Sequence, residues 1–487
     1  MAAVHERRET IKDDVPASQV VGLTQFIDMY FTSPKLRLVS GNSYKKTISD
    51  DETTFSWLQL ANDRQTTISV ALTISKSVEV NFDYDPDNQV QLELYKRTLD
   101  QARNLVYTYF QNVKTSTIYF VIGSQSENNS EAPSNPKTTQ KIARRIFSGN
   151  TTNVFLLFLV LGYAVFLFVG SLVVVVIVAL QLVYLYYSDV ISLNLGNVRP
   201  TSEAPLAAVV GVKSNSETTD FLRSRGRHIL SEIRKEASGL VLKAVDTTPG
   251  AIDKDVKKPL LEIFSRNGVN TSSDQIEVKT KDVYNVVSKV SSKFGRPVPK
   301  IVIGNSPISN AMATGISPKR SSIMITAGSL VDLSDDELSS VIGHELGHVK
   351  GHDPIILFGI TSLVYIGAFY LWYPLLLFLG LFYYVIAFGF IFAVGKILET
   401  RADTESAAVL GNASELATSL TKIGFRRFYL EKYSELGRLL DWFSFDPHPP
   451  IYFRVARLSS LAGREQSINH TFLISLRDCI KGFFSSF

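Results

Sequence analysis

The amino-acid sequence predicts an α+β membrane protein. The predicted fold has a mainly helical domain with a small β edge, transmembrane helical hairpins, and a separate N-terminal α/β domain. Hydrophobic residues make up 45% of the 487 positions, which is apolar for a soluble protein. Residues 154–187 and 355–394 contain no charged side chain, as membrane-spanning segments do, and residues 66–82 alternate as strands do.

Charge and cysteine usage exclude several classes of function. The 50 basic and 46 acidic residues nearly balance, so there is no electrostatic basis for binding nucleic acid. The single cysteine, Cys479, excludes an internal disulfide and a zinc site built from cysteines. Residues 1–19 carry too many charges for a secretory signal peptide, and we expect them to form a disordered tail.

The N-terminal domain is predicted to span residues 20–123 as a mixed α/β fold. Residues 66–74 and 78–82 are expected strands, residues 90–113 have helical periodicity, and residues 117–122 are an expected closing strand. This part of the sequence offers no catalytic group of residues. We interpret the domain either as an interaction or regulatory module or as a packed domain without chemistry of its own.

A predicted linker, residues 124–152, precedes the first membrane segment, residues 153–188. The linker is rich in Ser, Asn, Pro and Thr. As one helix, the uncharged run after it would be about 51 Å long, against a hydrocarbon core of about 30 Å. It forms either one tilted span or two short spans that turn near Gly170. Basic residues on both sides favour the hairpin, because both ends then prefer the cytoplasm.

Residues 189–354 are expected to form the first part of a cytoplasmic domain. Residues 300–303 and 322–326 are predicted strands, and residues 307–315 lie between them as a loop or irregular strand. Such a segment, directly before a functional helix, can present an exposed edge. An extended peptide can pair with an edge of this kind through backbone hydrogen bonds.

A His-Glu-x-x-His motif at residues 344–348 follows that segment. Residues four apart on a helix lie on one face, so His344 and His348 can bind one Zn²⁺. Glu345 can then reach a water molecule at the metal as a general base. Ser334 and the acidic residues after it predict where this helix begins. Two histidines on a solvated helix face are the alternative interpretation, and a third ligand decides between them.

The second uncharged run leads to that third ligand. Residues 355–395 are predicted to form a transmembrane hairpin, because a Trp-Tyr-Pro sequence at residues 372–374 interrupts the run near its middle. Two crossings return the chain to the side it left, so Glu399 emerges on the face where the histidines lie. We therefore predict Glu399 as the third ligand, the alternative being an ordinary charge at the membrane boundary. Asp403, one turn further on, is predicted to orient a ligand histidine.

Residues 396–465 are expected to complete the helical domain. They contain an Asp-Pro-His-Pro-Pro turn that holds His448 and leads into a helix with Arg454. Such positioned cations can stabilise a developing oxyanion, the alternative being a purely structural turn. Residues 466–487 mix apolar and basic side chains and are expected to form an amphipathic tail at the bilayer interface.

Five motifs, taken in order, resemble those of the HtpX-like integral-membrane zinc metalloproteases, which are relatives of the CAAX prenyl proteases. The resemblance runs from about residue 281 to residue 458 and includes the hairpin. The motifs are Asn-Ala-Met-Ala-Thr-Gly at 310–315, Ile-Thr-Ala-Gly-Ser-Leu at 325–330, His-Glu-Leu-Gly-His at 344–348, Glu-Thr-Arg-Ala-Asp at 399–403, and His-Pro-Pro at 448–450 followed by Arg454. Residues 1–150 and much of 200–275 have no counterpart in this resemblance.

The resemblance implies a zinc-dependent endopeptidase that acts in protein quality control and the stress response. Its implied partners are protein or peptide substrates, chiefly misfolded or damaged membrane proteins, and the lipid bilayer. It implies a multi-pass protein of the cell membrane whose site faces the cytoplasm. The implied site has one Zn²⁺ per chain held by His344, His348 and Glu399, Glu345 as base, Asp403 behind a ligand, His448 and Arg454 near the reacting carbonyl, and Asn310, Ala311, Met312 and Ala313 on the substrate edge.

Two alternatives to this function stay open. A prenyl-protein endoprotease would need a large apolar chamber, and four spans are few to build one. A membrane scaffold with a structural zinc would need no general base, so Glu345 argues against it. The oligomeric state and the preferred cleavage site are left open by the sequence.

Overall fold

The structure is a computed structural model, and its chain divides into two compact units, Met1–Ser116 and Thr117–Phe487. The residues that the structure describes are 5–13, 15, 17–32, 44–49, 52–61, 65–115, 117–123, 170, 172–194, 196, 198–213, 236, 252–269, 271–367, 373–463 and 470–486.

The N-terminal unit is a five-stranded antiparallel sheet with two helices on one face. Its elements are β1 (His5–Lys12), α1 (Ala17–Thr32), β2 (Tyr44–Ser49), β3 (Glu52–Leu60), β4 (Thr67–Ile74), β5 (Val78–Tyr84) and α2 (Gln89–Thr115). The strand order is β1-β5-β4-β3-β2. Alternate residues of β4 and β5, such as Leu72 and Phe82, are fully buried in a core shared with both helices. This is the packing that period-2 alternation predicts.

Residues 5–12, which the sequence places in a disordered tail, instead form strand β1. This strand pairs with β5, from His5 opposite Tyr84 to Lys12 opposite Val78. Arg8 forms an ion pair with Glu79 across the two strands. The charged composition does not oppose a strand here, because the charges face solvent or pair across the ladder.

Strands of the second unit form two three-stranded sheets. They are β6 (Thr117–Gly123), β7 (Leu206–Lys213), β8 (Ile276–Asp282), β9 (Lys300–Gly304), β10 (Ala311–Ser317) and β11 (Arg320–Thr326). One sheet is antiparallel in the order β6-β7-β8, and the other has the order β10-β11-β9 with β10 at its edge. The sequence assigns β6 to the N-terminal domain, but β6 pairs with β7 along its whole length. Local patterns did not reveal a partner strand that lies more than 80 residues further along the chain.

Helices make up most of the second unit. They are α3 (Leu172–Leu193), α4 (Ile252–Arg266), α5 (Val283–Lys293), α6 (Ala327–Asp332), α7 (Asp335–Gly351), α8 (Asp353–Ile366), α9 (Tyr373–Leu410), α10 (Ala413–Ile423), α11 (Phe425–Tyr433), α12 (Glu435–Phe443), α13 (Ile451–Leu461) and α14 (Thr471–Phe484). The prediction of a mainly helical fold with some strands is confirmed. The main core lies between the β10-β11-β9 sheet and helices α5, α7, α10 and α13.

One helix among the described residues, over Val174–Leu193, is long and apolar enough to cross a membrane. The predicted linker and the first part of the uncharged run lie outside the described residues, so the choice between one span and two is not addressed there. Residues 368–372, near the predicted turn of the second hairpin, also lie outside them. Helix α9 continues unbroken from Tyr373 to Leu410, so the end of that run and the residues after it share one helix.

Helix α3 is fixed to the β10-β11-β9 sheet by a buried charge near its C-terminal end. Asp189 lies 3.0 Å from Lys300 Nζ and 3.6 Å from the Arg320 guanidinium. Lys300 belongs to β9 and Arg320 to β11, so the ion pairs connect α3 with the sheet that carries the β10 edge. Because buried charges are costly without partners, this group of three holds the apolar helix in a defined position on the sheet.

The C-terminal tail forms helix α14, one face of which packs on α9. Cys479 is buried, and its Sγ lies 3.1 Å from Thr400 Oγ1. Ser475 Oγ lies 3.3 Å from Thr404 Oγ1, one turn along both helices. Another face of α14 exposes Leu473, Ile480 and other apolar side chains. The helix is thus amphipathic, and its polar side chains contact α9 and, through an ion pair of 3.0 Å between Asp478 and Arg457, α13.

Candidate metal centre

Helix α7 carries the His-Glu-x-x-His motif through the centre of the second unit. It begins with a capping box, in which Ser334 Oγ accepts from Glu337 N and Glu337 Oε2 accepts from Ser334 N. Capping provides hydrogen-bond acceptors for amides that the first turn leaves unpaired. The acidic residues in that turn stabilise the helix by interacting with the positive end of its dipole. The helix is buried along most of its length, so its two histidines face protein and not solvent.

Glycines let α7 approach α9 closely. A Cβ on Gly347 would lie 3.1 Å from Ala402 Cα and 3.2 Å from Ala402 Cβ. One turn earlier, a Cβ on Gly343 would lie 2.6 Å from Ser406 Oγ. One turn later, a Cβ on Gly351 would collide with the Arg401 guanidinium. A larger residue along this stripe would separate the helices, and with them the side chains that meet between them.

Three candidate ligand side chains converge where the two helices meet. His344 Nε2 and His348 Nε2 lie 3.2 Å apart. Glu399, on α9, places one carboxylate oxygen 3.3 Å from His344 Nε2 and the other 3.3 Å from His348 Nε2. Glu399 Oε2 is buried and accepts no hydrogen bond in the described residues. The structure therefore brings the two histidines and the glutamate together, as the sequence predicts.

These separations fit a tetrahedral zinc site. Zinc–nitrogen and zinc–oxygen bonds of about 2.0–2.1 Å, arranged tetrahedrally, place neighbouring ligand atoms about 3.3–3.4 Å apart. Each of the three measured separations lies within a tenth of an ångström of that range, the two from Glu399 being to its two different oxygens. The donor set of two imidazoles and one carboxylate is also one that catalytic zinc uses, with a fourth position left open.

Each ligand histidine has a carboxylate behind it. His344 Nδ1 lies 2.9 Å from Asp403 Oδ1, and Asp403 receives two hydrogen bonds from Arg454, of 2.8 and 2.7 Å. Partners of this kind fix the ring orientation and leave Nε2 free to bind a metal. The structure thus places Asp403 where the sequence expects it, behind His344.

Asp353 is the corresponding partner of His348, and sequence reasoning missed it. Its Oδ2 lies 2.7 Å from His348 Nδ1, and Arg401 donates to both of its oxygens at 2.7 and 2.8 Å. The chain turns at His352, whose φ of 57° is in the left-handed region, and this turn brings Asp353 back to the histidine. A usable signal was present: a second ligand histidine also needs an orienting group, and Asp353 is the first carboxylate after the helix.

The electrostatics of the site favour a cation between the ligands. Burial alone would raise the pKa of the Glu399 carboxyl, but His448 and the two ligand imidazoles hold that pKa well below its ordinary value. Burial would lower the pKa of His344 and of His348, yet the surrounding carboxylates raise both above their ordinary value. The field that favours a proton on each imidazole also favours a metal ion, because both are positive charges among the same carboxylates.

Glu345 faces the edge strand β10. The backbone N–H of Ala313 donates to Glu345 Oε2 over 2.6 Å. Ala311, Met312 and Ala313 lie on β10, opposite Ile325, Met324 and Ile323 of β11. Asn310 precedes the strand, and its carbonyl accepts from Thr326 and Ser329. The residues predicted as a substrate edge are therefore next to the predicted base.

His448 and Arg454 both reach Glu399. His448 Nε2 lies 3.6 Å from Glu399 Oε1, and its side chain is 51% exposed. Its Nδ1 lies 2.8 Å from Asp446 Oδ1, which also accepts from the His448 backbone N–H. Arg454 is buried, 3.4 Å from Glu399 Oε2. One cation thus borders the site from the solvent side and the other from the protein side.

Comparison with known proteins shows that the site lies within a segment that matches a known protein family. Residues 277–462 match the family model of peptidase family M48. The chain is 31% identical over 218 residues to a protease HtpX homolog of Pelotomaculum thermopropionicum, covering 38% of this chain and 78% of the relative. It is 29% identical over 222 residues to a protease HtpX homolog of Thermodesulfovibrio yellowstonii, covering 39% and 78%.

A solved structure is also similar at low level. The crystal structure of S. mikatae Ste24p shares 14% identity with this chain, covers 75% of it and 88% of its own length, and gives a TM-score of 0.27. A TM-score of that size does not establish a common fold.

Replacing Asp353 by Asn tests the partner that sequence reasoning missed. We expect Asp353→Asn to weaken Zn²⁺ binding about 10–100-fold, because His348 loses its orienting carboxylate and Arg401 loses an ion pair. Competition with a chromophoric chelator measures the affinity. Glu405→Gln is the matched control, since it removes the other ion pair of Arg401, at 3.0 Å, without touching a ligand. Equal affinities for Asp353→Asn and Glu405→Gln would contradict the assignment.

Proposed function

Because this chain belongs to peptidase family M48 and is a membrane metalloendopeptidase, we propose that His344, His348 and Glu399 hold one catalytic Zn²⁺ per chain. The observation that carries the proposal is the convergence of the three side chains: the two Nε2 atoms lie 3.2 Å apart, and each lies 3.3 Å from one oxygen of Glu399. When bound, Zn²⁺ supplies Lewis-acid polarisation of a carbonyl and acidification of water.

Glu345 is the general base in this proposal. It is adjacent to the first ligand on α7, and its carboxylate lies at the β10 edge where a peptide would bind. It takes a proton from the attacking water and passes it to the leaving amine, so that one carboxylate serves both halves of the hydrolysis. The Ala313 N–H, 2.6 Å from Glu345 Oε2, holds the carboxylate in place before the substrate arrives.

Strand β10 is the proposed docking edge for the substrate. The Ala313 N–H points away from β11, since it donates to Glu345. Successive residues of a strand alternate in direction, so Ala311 and Gly315 share this outward orientation. An extended peptide pairing with the outward backbone groups of Ala311 and Gly315 would run past Glu345, which supports the assignment of residues 310–313 to substrate binding.

His448 and Arg454 are proposed to stabilise the oxyanion, in different ways. His448 is half-exposed at the open side of the site and can turn its Nε2 towards a bound carbonyl. Arg454 is buried, and both its Nε and one terminal nitrogen are already engaged by Asp403. Arg454 therefore also positions His344 through Asp403, whereas His448 makes no contact with a carboxylate behind a ligand histidine.

The substrates and setting complete the proposal. We infer cleavage of misfolded or damaged membrane proteins by a multi-pass enzyme of the cell membrane, with its site facing the cytoplasm. The proposed spans are residues 153–188 and 355–395, and the proposed catalytic parts are residues 189–354 and 396–465. The apolar helix α3, docked on the sheet that carries β10, supports a site close to the bilayer.

Glu345→Gln separates chemistry from metal binding. We expect this variant to retain about one zinc per chain and to lose cleavage by about 10²–10⁴-fold, because the amide cannot accept the proton. Zinc content by mass spectrometry and cleavage of labelled unfolded casein in detergent are the measurements. Glu415→Gln, on α10, is the control and should cleave as the wild type does. Wild-type cleavage by Glu345→Gln would rule out the mechanism.

His448→Ala and Arg454→Ala separate the two proposed oxyanion groups. We expect His448→Ala to lower kcat by about 10²-fold and still to bind about one zinc per chain, because it removes a proposed transition-state donor and a charged neighbour of Glu399 but no proposed ligand and no carboxylate behind one. Arg454→Ala should lower both kcat and zinc affinity, because Asp403 loses its partner. Steady-state kinetics with a chelator titration distinguish the two patterns. An unchanged kcat in His448→Ala would exclude it from catalysis.

A further inference from the structure

Helix α12 exposes an apolar face that the proposed chemistry does not use. Leu436, Leu440 and Phe443 are 66%, 59% and 62% exposed. They follow one another at intervals of four and three residues, so they lie on one side of the helix. On the other side Trp442 is buried, with its ring 5.1 Å from Phe453 and 6.1 Å from Phe483. The helix is therefore firmly packed, and its outer face consists of large apolar side chains.

That face is continuous with the apolar surface of α9. Phe445, just beyond α12, has its ring 6.2 Å from Phe388 and 5.7 Å from Phe392, both in the uncharged run. Around them on α9, Ile386 and Phe390 are largely exposed. The exposed apolar surface thus passes from a helix of the predicted hairpin onto α12 without a break.

Lys396, the first charged residue after the uncharged run, shows at which point along α9 the end of α12 lies. Lys396 is buried, and its Nζ donates to the carbonyl oxygens of Ser444 at 3.0 Å and Asp446 at 2.7 Å. These carbonyls lie directly after α12. The C-terminal end of α12 therefore meets α9 where its apolar run ends, which is where a hydrocarbon core gives way to head groups.

We propose that α12 lies in the surface of the lipid bilayer, with Leu436, Leu440 and Phe443 inserted among the acyl chains. A short helix with one strongly apolar face at the end of a membrane span is the form that interfacial helices take. A partner protein or a second copy is the less favoured occupant, because it would have to cover a surface that adjoins the proposed span of residues 355–395. Exposed basic side chains nearby, such as Lys432, suit the head-group region.

The position of α12 bears on the site, and this consequence rests on the proposed function. Two residues separate α12 from Asp446, whose carboxylate holds His448 through contacts of 2.9 and 2.8 Å. Arg427 holds the same carboxylate at 2.6 Å. A helix held in the bilayer surface therefore fixes the distance of the His448 turn from that surface. The site then cleaves peptide bonds close to the membrane surface.

Lipid-specific quenching tests the proposal directly. In a Cys479→Ser background, Leu440→Cys or Leu436→Cys is labelled with the fluorophore NBD, and the protein is placed in phosphatidylcholine nanodiscs with or without 5-doxyl-phosphatidylcholine. Both positions are exposed, so the substitutions leave the core intact. Ser414→Cys is the control: it is exposed on α10, beyond the end of α9, which extends about 21 Å past Lys396.

We expect doxyl lipid to reduce emission from positions 436 and 440 by about twofold, with little change at position 414. Iodide in the buffer should quench position 414 and not position 440. Strong iodide quenching at position 440 would mean that the face lies in water, and protection from both quenchers would mean that protein covers it. Either result overturns the proposal. The experiment also works in the Glu345→Gln variant, so it fails or succeeds independently of the proposed catalysis.

Discussion

The close packing of α7 against α9 is the constraint on which the rest of the site depends. Two ligands come from one helix and the third from the other, so the ligand atoms meet only if the backbones nearly touch. Gly343 and Gly347 permit that approach, and Ala402 is small enough to receive it. The sheet with β10 packs on the same α7, so the predicted base and the predicted substrate edge are set by the same contact.

Charge balance is the second constraint. Around the two imidazoles there are four carboxylates and two guanidiniums, namely Glu345, Asp353, Glu399 and Asp403 with Arg401 and Arg454. Carboxylates outnumber guanidiniums in this largely buried set, and such a place favours a cation between the imidazoles and Glu399. Each guanidinium binds a carboxylate that lies behind a histidine, so the charges that balance the site also orient its ligands.

Sequence alone predicted the parts of the site that follow from local periodicity and from topology. His344 and His348 fall on one face by spacing, and Glu399 follows from an even number of crossings. Sequence reasoning missed the role of Asp353, because its contact with His348 depends on a left-handed turn at His352. The need of His348 for an orienting carboxylate was the one available signal. Sequence reasoning also missed β1 and the pairing of β6 with β7, since these depend on backbone ladders between segments far apart in the chain. Sequence placed a domain boundary at residue 396, where the polarity changes, and α9 crosses that position as one helix.

The central claim is that Glu399, delivered by α9, is the third ligand of a zinc ion held by two α7 histidines. Zinc content and zinc K-edge X-ray absorption on the purified protein, wild type beside Glu399→Ala, test it most directly. The account predicts about one zinc per chain with two imidazole nitrogens and a carboxylate oxygen at about 2.0–2.2 Å, and loss of most of the zinc in Glu399→Ala. Full zinc occupancy with an unchanged coordination shell in Glu399→Ala would contradict it.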